Sequence, residues 1–195
     1  GLVGSEMCIR DSYSAEQLTR AAALGPVSSL QPRYSMLNRQ IEDEGQMDWC
    51  RENHCGIVCY SPMESGLLTG KVNLEWIDSL PENDWRRHKP DHPVAALLHP
   101  PKLEPFLQLV EQLKTIAEPS GQTVSQLAVA WALRRPEVTS AIVGARRRGQ
   151  IAETVRAAEW SHGQAALDAI TPPRDNFSPD TPRPPLAQPE QFMAN

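Results

Sequence analysis

The chain has 195 residues, 40% of them hydrophobic and 22% charged, which suits one soluble globular domain with a sizeable core. Its formal net charge of -5 argues against a nucleic-acid or anionic-membrane partner, because such partners attract positively charged surfaces. No apolar run approaches the ~18 residues of a membrane span, and no segment has the charged-then-apolar layout of a signal peptide. Composition therefore predicts a cytoplasmic protein.

Helical and strand-like patterns alternate from the first part of the chain onward. SAEQLTRAAALG begins with a serine suited to capping, Ser14, and reaches a glycine stop at Gly25, which predicts an amphipathic helix. Its apolar positions share one face: Leu18, Ala21, Ala22 and Leu24. VSSLQ is then a candidate strand, and MDWCRENHCG predicts a second helix that ends at Gly56.

Two later runs, GIVCYS and VTSAIVG, are apolar, β-branched and too short for helices, which predicts strands buried on both faces. The helical patterns around them are LEPFLQLVEQLKTIAE, then TVSQLAVAWALRR, which a threonine enters and Pro136 stops, and finally RGQIAETVRAAEW. Alternating helices and buried strands predict an α/β fold with a parallel sheet. The proline-rich residues 171–195 predict a disordered tail, which could also dock on a partner.

The four cysteines are Cys8, Cys50, Cys55 and Cys59. A metal site built from the last three with His54 is conceivable, but zinc-binding cysteine pairs usually lie on a tight knuckle, whereas Cys50 falls in a helical pattern and Cys59 in a β-rich run. Free cysteine behaves as a small hydrophobic residue. The sequence therefore favours buried, reduced thiols and no metal site.

Two segments carry groups suited to a nucleotide. YSPMESGLLTGK directly follows the strand GIVC, and VGARRRGQIAET crosses a strand-to-helix junction, where unpaired backbone N–H groups suit a phosphate. Arg146 and Arg147 add side chains that can grip a phosphate with two parallel hydrogen bonds. Tyr60, at a strand end, offers a flat face for a ring. Taken alone, an arginine run at a helix start is more often a solvated surface than a phosphate site.

These segments, in this order, resemble the aldo-keto reductase family, the (β/α)8 barrels that reduce carbonyls with NADPH. The resemblance runs from about Tyr13 to Ile170 and also includes LQPRYSMLNR, LPENDWRR and TVSQLAVAWALRRPEVTSAIVGARR. It implies a partial (β/α)8 TIM barrel over residues 13–170, with strands six to eight and their helices. Residues 72–101 would be the lid after strand seven, in which DWRR folds over the pyrophosphate of the cofactor.

The resemblance also implies roles for individual residues toward NADP(H). Gln31 would bind the nicotinamide carboxamide and Tyr60 would stack on the nicotinamide ring. The expected pyrophosphate lining is Ser61, Pro62, Met63, Ser65 and Gly66, with Lys71 nearby. The residues expected around the adenosine 2′-phosphate are Gly144, Ala145, Arg146 and Arg147, and those around the adenine are Gln150, Glu153 and Thr154. Thr154, in place of a common asparagine, and Arg148, in place of a common proline, depart from the family pattern.

The family's catalytic tyrosine, lysine, aspartate and histidine lie on the first four barrel strands, and no residue of this chain matches them. The chain is therefore expected to be an inactive fragment, the cofactor-binding part of an NADPH-dependent reductase of aldehyde or ketone carbonyls, whose substrate is a small molecule. The alternative is a nucleotide-sensing, regulatory barrel that binds NADPH without turnover.

The first twelve residues, GLVGSEMCIRDS, fall outside the resemblance. The nucleotides CTC GTG GGC TCG GAG ATG TGT ATA AGA GAC, typical of a sequencing-library adapter, translate to LVGSEMCIRD. Residues 1–12 are therefore interpreted as non-native and are left out of the fold prediction. The alternative is an unusual native N-terminus.

Overall fold

The structure is a computed structural model that describes residues 9–10, 13–159 and 170. Its centre is a parallel sheet with the strand order β1-β2-β3-β4, and each strand is parallel to the next. The strands are β1 (Ile9–Arg10), β2 (Ser29–Leu30), β3 (Gly56–Tyr60) and β4 (Val138–Ile142). The predicted α/β arrangement with a parallel sheet is confirmed.

Eight α-helices lie between and after the described strands. The first four are α1 (Ala15–Ala22), α2 (Gln40–Asp43), α3 (Gln46–Glu52) and α4 (Leu74–Asp78). The others are α5 (Trp85–His88), α6 (Leu103–Ala117), α7 (Val124–Ala132) and α8 (Gln150–Val155). Short 3-10 helices span Glu64–Thr69, Ala95–Leu98, Glu118–Ser120 and Arg156–Glu159.

Two predicted helix starts are confirmed by their capping contacts. The hydroxyl of Ser14 accepts a hydrogen bond from the N–H of Gln17 at 3.3 Å, and the Gln17 side chain accepts one from the N–H of Ser14 at 2.9 Å. Thr123 and Gln126 form the same reciprocal pair at the start of α7. Each pair satisfies two backbone donors that a helix start otherwise leaves unpaired.

The predicted helix ends are less accurate. α1 ends at Ala22 rather than running to Gly25, and Leu24 is 92% exposed instead of lying on the buried face with Leu18. Gly25 precedes Pro26, and a residue before proline is disfavoured in helical conformation. α7 likewise ends at Ala132, a few residues before the predicted stop.

The second predicted helix also ends early, and the reason is a left-handed residue. α3 ends at Glu52, and His54 has φ 53°, a backbone conformation that a helix cannot contain. The turn that it makes lets the N–H of Cys55 bond to the carbonyl of Cys50 at 2.9 Å. The chain then enters β3 at Gly56, which belongs to the strand and not to the helix.

The prediction that both long strands are buried on both faces is wrong. Along β3, Ile57 and Cys59 are buried while Val58 and Tyr60 are only half-buried. In β4 only Val138 is buried, and Ile142 is 45% exposed. Alternating burial means that one face of the sheet packs against the core and the other does not. An apolar strand can be buried on both faces only where a second layer of structure covers the other face of the sheet, and the apolar composition of the strand does not show whether that layer is present.

The core on the packed face is closed by large side chains from several elements. Tyr34, Phe106 and Trp131 are completely buried, and Leu113 of α6 and Leu127 of α7 pack with them. The thiols of Cys50, Cys55 and Cys59 are free and buried within this core.

Three of the sequence-based predictions fall on positions outside the described residues. They concern Cys8, Trp160 at the end of the helix predicted over RGQIAETVRAAEW, and the tail at residues 171–195. Among the residues that are described, no helix is both long and apolar enough to cross a membrane.

Candidate functional site

The carboxyl ends of β2 and β3 bring Gln31 and Tyr60 to the same edge of the sheet. Beyond the last ladder residues, the N–H of Tyr60 bonds to the carbonyl of Pro32 at 2.9 Å, and the N–H of Tyr34 bonds to the carbonyl of Tyr60 at 3.2 Å. Both Gln31 and Tyr60 are partly exposed. In parallel sheets flanked by helices, ligands bind at this edge.

The turn that follows Tyr60 has an unusual backbone, with four residues in left-handed conformation. Their φ angles are 56° at Ser61, 46° at Glu64, 54° at Ser65 and 93° at Gly66. Glycine adopts such angles freely, whereas a residue with a side chain does so at a cost of ~1 kcal/mol or more. Backbone strain of this kind is concentrated at ligand-binding sites.

A buried carboxylate anchors this turn to the segment after β2. Glu64 is 1% exposed. Its side chain accepts hydrogen bonds from the hydroxyl of Ser35 and from the guanidinium of Arg33, with which it also forms an ion pair. Neither Glu64 nor Arg33 was predicted from the sequence as a site residue, although both lie in segments that carry the family resemblance.

The segment between the turn and α6 lies against the turn through Arg86. The Nη1 atom of Arg86 donates to the carbonyl oxygen of Ser65 at 3.0 Å, and its guanidinium carbon lies 5.0 Å from the ring centroid of Trp76. Asp84 caps α5 by accepting from the N–H of Arg86 at 2.9 Å, and it binds the Arg86 side chain at 2.9 and 2.6 Å. These hydrogen bonds from Arg86 lower the pKa of Asp84 to about 2.

The loop between β4 and α8 is ordered by side-chain contacts of its own. The N–H of Arg146 donates to Oε1 of Gln150 at 2.8 Å, and Gly149 begins α8 with φ 79°. Arg147 donates from Nη1 to Oε1 of Glu153 at 2.8 Å and from Nη2 to its other carboxylate oxygen. The hydrogen bond with Arg147 lowers the pKa of Glu153. Arg146 and Arg147 are therefore exposed, while hydrogen bonds within this part of the chain hold the backbone of Arg146 and the side chain of Arg147.

The start of α7 joins two of these segments: Gln126 donates from Nε2 to the carbonyl of Glu153 on α8 at 2.8 Å, and Val124 lies against Gly70, at the end of the β3 turn. The charge of Arg146 contributes to the low pKa of Asp84, which belongs to the segment after the β3 turn. The charge of Lys71 contributes to the low pKa of Glu153, on α8. Groups that are distant in sequence thus surround one surface region, which carries Arg146, Arg147 and Lys71 together.

The predicted residues differ in what their side chains can offer. Ser65, Lys71 and the loop residues Gly144, Ala145, Arg146 and Arg147 are exposed, and Ser61, Met63, Gly66 and Gln150 are partly so. Pro62 is buried, and Met63 packs against the core. Thr154 is 7% exposed, and its hydroxyl donates to the carbonyl of Gln150 at 2.8 Å. The exposed groups are therefore better placed for a ligand than Pro62 or Thr154.

Comparison with known proteins identifies the family. The sequence model described as "Aldo/keto reductase family" matches residues 9–171. A protein of Escherichia coli O157:H7 named L-glyceraldehyde 3-phosphate reductase is 34% identical over 151 residues, which cover 75% of this chain and 42% of that protein. The Schizosaccharomyces pombe protein named aldo-keto reductase yakc [NADP(+)] is 34% identical over 165 residues, covering 84% of this chain and 46% of its own length.

A further relative and a solved structure add to the comparison. A candidate voltage-gated potassium channel subunit beta of S. pombe is 35% identical over 154 residues, covering 79% of this chain and 41% of that protein. The structure of the glycerol dehydrogenase AKR11B4 from Gluconobacter oxydans superposes with a TM-score of 0.71 at 26% identity, covering 91% of this chain and 51% of that one.

The chain spans less than half the length of the curated relatives named above. The family match begins at residue 9, so it includes Ile9 and Arg10, which the sequence analysis had left out of the fold and which pair with β2. The match extends over most of the chain and through every segment of the candidate site. This chain belongs to the aldo/keto reductase family.

Proposed function

We propose that this chain carries the cofactor-binding part of an NADPH-dependent aldo-keto reductase, an oxidoreductase that reduces aldehyde or ketone carbonyls. The observation that carries the proposal is the proximity of two distant segments. The start of α7 contacts both: the side chain of Gln126 donates to the carbonyl of Glu153 on α8 at 2.8 Å, and Val124 lies against Gly70 at the end of the β3 turn. Two segments expected to bind phosphate groups thus border one region.

The donor set in this region fits a phosphorylated dinucleotide. The left-handed turn from Ser61 to Gly66 leaves Ser65 exposed, and turns of this kind can direct backbone N–H groups at an anion. Lys71, directly after Gly70 at the end of the β3 turn, and Arg146 in the β4–α8 loop are exposed cations. Arginine and lysine are the residues that commonly bind phosphates, arginine through its planar fork.

Each part of the chain would then have a separate task. NADPH, when bound, supplies the hydride. Tyr60 would cover one face of the nicotinamide ring, Gln31 would hold its carboxamide group, and the turn at Ser61 would fix the pyrophosphate. Tyr60 is not assigned as the proton donor, because the resemblance places it under the ring. We assign the catalytic tyrosine, lysine, aspartate and histidine to a part of the protein outside these 195 residues.

The names of the relatives support this function. One relative is named as an NADP(+) enzyme, and another as a reductase of L-glyceraldehyde 3-phosphate, an aldehyde. The substrate class that we propose is accordingly a small-molecule carbonyl compound, reduced by the complete protein. Neither relative identifies the individual substrate of this one.

A second candidate function has an observation in its favour. The relative that is named a candidate potassium channel subunit beta is 35% identical to this chain. The second candidate is therefore a regulatory barrel that binds NADPH without useful turnover. Both functions need the same cofactor contacts, so only turnover by the complete protein separates them.

We also propose that residues 1–12 come from an adapter and that the native protein continues upstream of Tyr13. A two-residue strand such as Ile9–Arg10 needs only backbone hydrogen bonds, which any sequence can provide. The genomic DNA upstream of the Tyr13 codon tests this. We expect an in-frame barrel strand and, further upstream, codons for a tyrosine and a lysine suited to catalysis. A native reading frame for GLVGSEMCIRD would contradict the proposal.

The functional test uses the complete protein encoded at that locus, with the 195-residue chain beside it. We expect NADPH to quench the tryptophan fluorescence of the complete protein on binding, and we expect the protein to oxidise NADPH in the presence of aldehydes or ketones. The 195-residue chain alone should show no measurable carbonyl reduction. Binding without turnover across a carbonyl panel would favour the regulatory function, and absence of NADPH binding would contradict both functions.

A further inference from the structure

The turn after β3 contains a buried carboxylate that takes no part in the proposed cofactor contacts. Glu64 is 1% exposed and has φ 46°. A buried carboxylate is tolerated only when it is paired and hydrogen-bonded, and a left-handed glutamate persists only when its surroundings hold it there. A residue that combines both features is placed by specific contacts.

Those contacts come from the segment that follows β2. Arg33 pairs with one carboxylate oxygen of Glu64, and the hydroxyl of Ser35 donates to the other. The same hydroxyl accepts from the N–H of Leu37 at 3.1 Å and from the N–H of Asn38 at 3.0 Å. Because these two donors fix the Ser35 oxygen, its proton is directed at Glu64.

On its other side the turn is held by Arg86, which donates to the Ser65 carbonyl at 3.0 Å. The left-handed residues Glu64 and Ser65 are therefore fixed from two directions, by Arg33 and Ser35 through a side chain and by Arg86 through the backbone. We propose that Glu64 is a positioning residue: it sets the backbone of the turn from Ser61 to Gly66 so that the turn can receive the pyrophosphate. This role rests on the proposed cofactor function.

The substitution Glu64→Gln tests the charge and the hydrogen bonds together. Glutamine has nearly the same shape, but its amide nitrogen would face either the Ser35 hydroxyl or the Arg33 guanidinium, both of which act as donors here. One contact is therefore lost, and Arg33 loses its counter-charge. We expect the turn to sample other backbone conformations as a result.

A matched control lies at the opposite end of the same sheet. Glu137 is 7% exposed, and its carboxylate is paired with Arg51 at 3.2 Å, just before β4 begins. Glu137→Gln thus neutralises a second buried, arginine-paired carboxylate, but at the amino ends of the strands. If Glu64 contributed only to the overall stability of the fold, the two variants could differ in how far they destabilise the protein, but neither would act on the turn in particular.

The first measurement is amide hydrogen exchange of the complete protein without cofactor. We expect Glu64→Gln to accelerate exchange in residues 61–66 by at least about tenfold beyond the change in residues 124–132, and Glu137→Gln to leave residues 61–66 unchanged. Equal acceleration throughout both variants would overturn the proposal. If Glu64→Gln does not fold, Arg33→Met, which removes a partly exposed partner, is judged by the same comparison.

The second measurement is cofactor affinity of the complete protein. Because the pyrophosphate is common to NADPH and NADH, Glu64→Gln should weaken both by a similar factor of about ten, and Glu137→Gln should weaken neither. Unchanged affinity in a folded Glu64→Gln protein would overturn the positioning role. If the unaltered complete protein binds neither cofactor, the proposed function fails, and hydrogen exchange still decides whether Glu64 sets the turn.

Discussion

Arg86 donates a hydrogen bond to the carbonyl oxygen of Ser65 across twenty-one positions of sequence, at 3.0 Å. The contact joins α5 to the strained turn after β3, where Ser65 has φ 54°. Arg86 is itself oriented by Asp84 and by the Trp76 ring. One guanidinium group therefore links the segment expected to be a lid to the turn expected to hold the pyrophosphate.

Removing this link should weaken cofactor binding. In the complete protein, Arg86→Met should raise the Kd for NADPH by about tenfold, because a charge-assisted hydrogen bond contributes ~1.5–3 kcal/mol and the turn loses one of its two supports. Fluorescence titration measures the change. Arg87→Met is the control, because Arg87 donates to a carbonyl within its own segment, that of Leu80, at 2.8 Å. An equal loss in both variants would mean that Arg86 acts only on the folding of the segment.

The Asp84–Arg86 pair should also make this segment sensitive to acid. The pKa of Asp84 is lowered from 3.8 to about 2 by Arg86, so its stabilisation is complete above pH ~4 and is lost as the pH falls toward about 2. Asp84→Asn keeps the helix cap, since asparagine caps as well as aspartate, but removes the charge. We expect it to reduce the loss of unfolding free energy between pH 5 and pH 3 by about 0.5–1 kcal/mol, an ion-pair magnitude.

Urea unfolding at the two pH values checks this, with Asp91→Asn as the control. Asp91 is an exposed carboxylate in the same segment. If Asp84→Asn and Asp91→Asn change the pH dependence by the same amount, the effect is one of net charge and not of the pair.

A feature of the fold could be predicted from the sequence when the contacts that produce it lie within a few residues of one another. The starts of α1 and α7 were predicted because the cap and its partner lie three residues apart, Ser14 with Gln17 and Thr123 with Gln126. The end of α3 was not, because it depends on a left-handed histidine, His54, and histidine adopts that conformation more often than most residues but still only in a small minority of cases. Burial of β4 was overestimated because burial depends on a covering layer, which a strand's own sequence does not contain.

Part of the candidate site was likewise visible in the sequence, and part of it was not. The segments around Tyr60 and Arg146 carry glycines, arginines and a strand end, which are visible in the sequence. The buried Glu64 was missed because a glutamate in a turn is normally solvated. Its pairing with Arg33 joins residues 31 positions apart, and only the parallel pairing of β2 with β3 brings them together. Such a contact follows from topology and not from any local pattern.

Cofactor choice in the complete protein should depend on Arg146. NADP differs from NAD by one phosphate, and an arginine fork can replace the water that this phosphate loses on binding. We expect NADPH to be preferred over NADH by at least about tenfold, equivalent to ~1.4 kcal/mol. Arg146→Ala should weaken NADPH and leave NADH nearly unchanged in fluorescence titrations. Arg156→Ala, an exposed arginine beyond α8, should change neither.

Equal weakening of both cofactors in Arg146→Ala would instead place Arg146 at the shared pyrophosphate. Glu153→Gln provides a related comparison, because Glu153 pairs with Arg147. Release of Arg147 should leave NADPH binding intact or strengthen it, whereas loss of an adenine contact would weaken both cofactors. The outcome distinguishes a counter-ion of Arg147 from the adenine contact that the resemblance implies.

The buried thiols should be inert. Cys50 and Cys59 are completely buried and Cys55 is 3% exposed, so a reagent reaches none of them in the native fold. Burial also raises the pKa of Cys59 to about 11, which leaves little of its reactive thiolate form at pH 8. The hydrogen bond with Cys50 lowers the pKa of Cys55, so the slow reaction of Cys55 depends on burial. In a Cys8→Ser background, we expect Cys50, Cys55 and Cys59 to react with a thiol reagent at least about a hundredfold more slowly in the native chain than in urea.

Purified protein should contain no zinc. Stoichiometric zinc that is lost when Cys50 and Cys55 are changed to serine would contradict this.

The β3 turn approaches α7 closely at Gly70. Gly70 has φ 75°, and a Cβ atom there would lie 2.9 Å from Cγ2 and 3.1 Å from Cβ of Val124, the first residue of α7. Gly70→Ala therefore combines left-handed strain of ~1 kcal/mol with overpacking of ~1–3 kcal/mol. Gly121 isolates the first cost, since it has φ 64° and no atom within 4 Å of the added Cβ. We expect Gly70→Ala to lower the unfolding free energy by ~2–4 kcal/mol and Gly121→Ala by ~1 kcal/mol, measured by urea denaturation. Equal losses in the two variants would mean that α7 shifts away from the added methyl group at no cost, and that the turn does not depend on this contact.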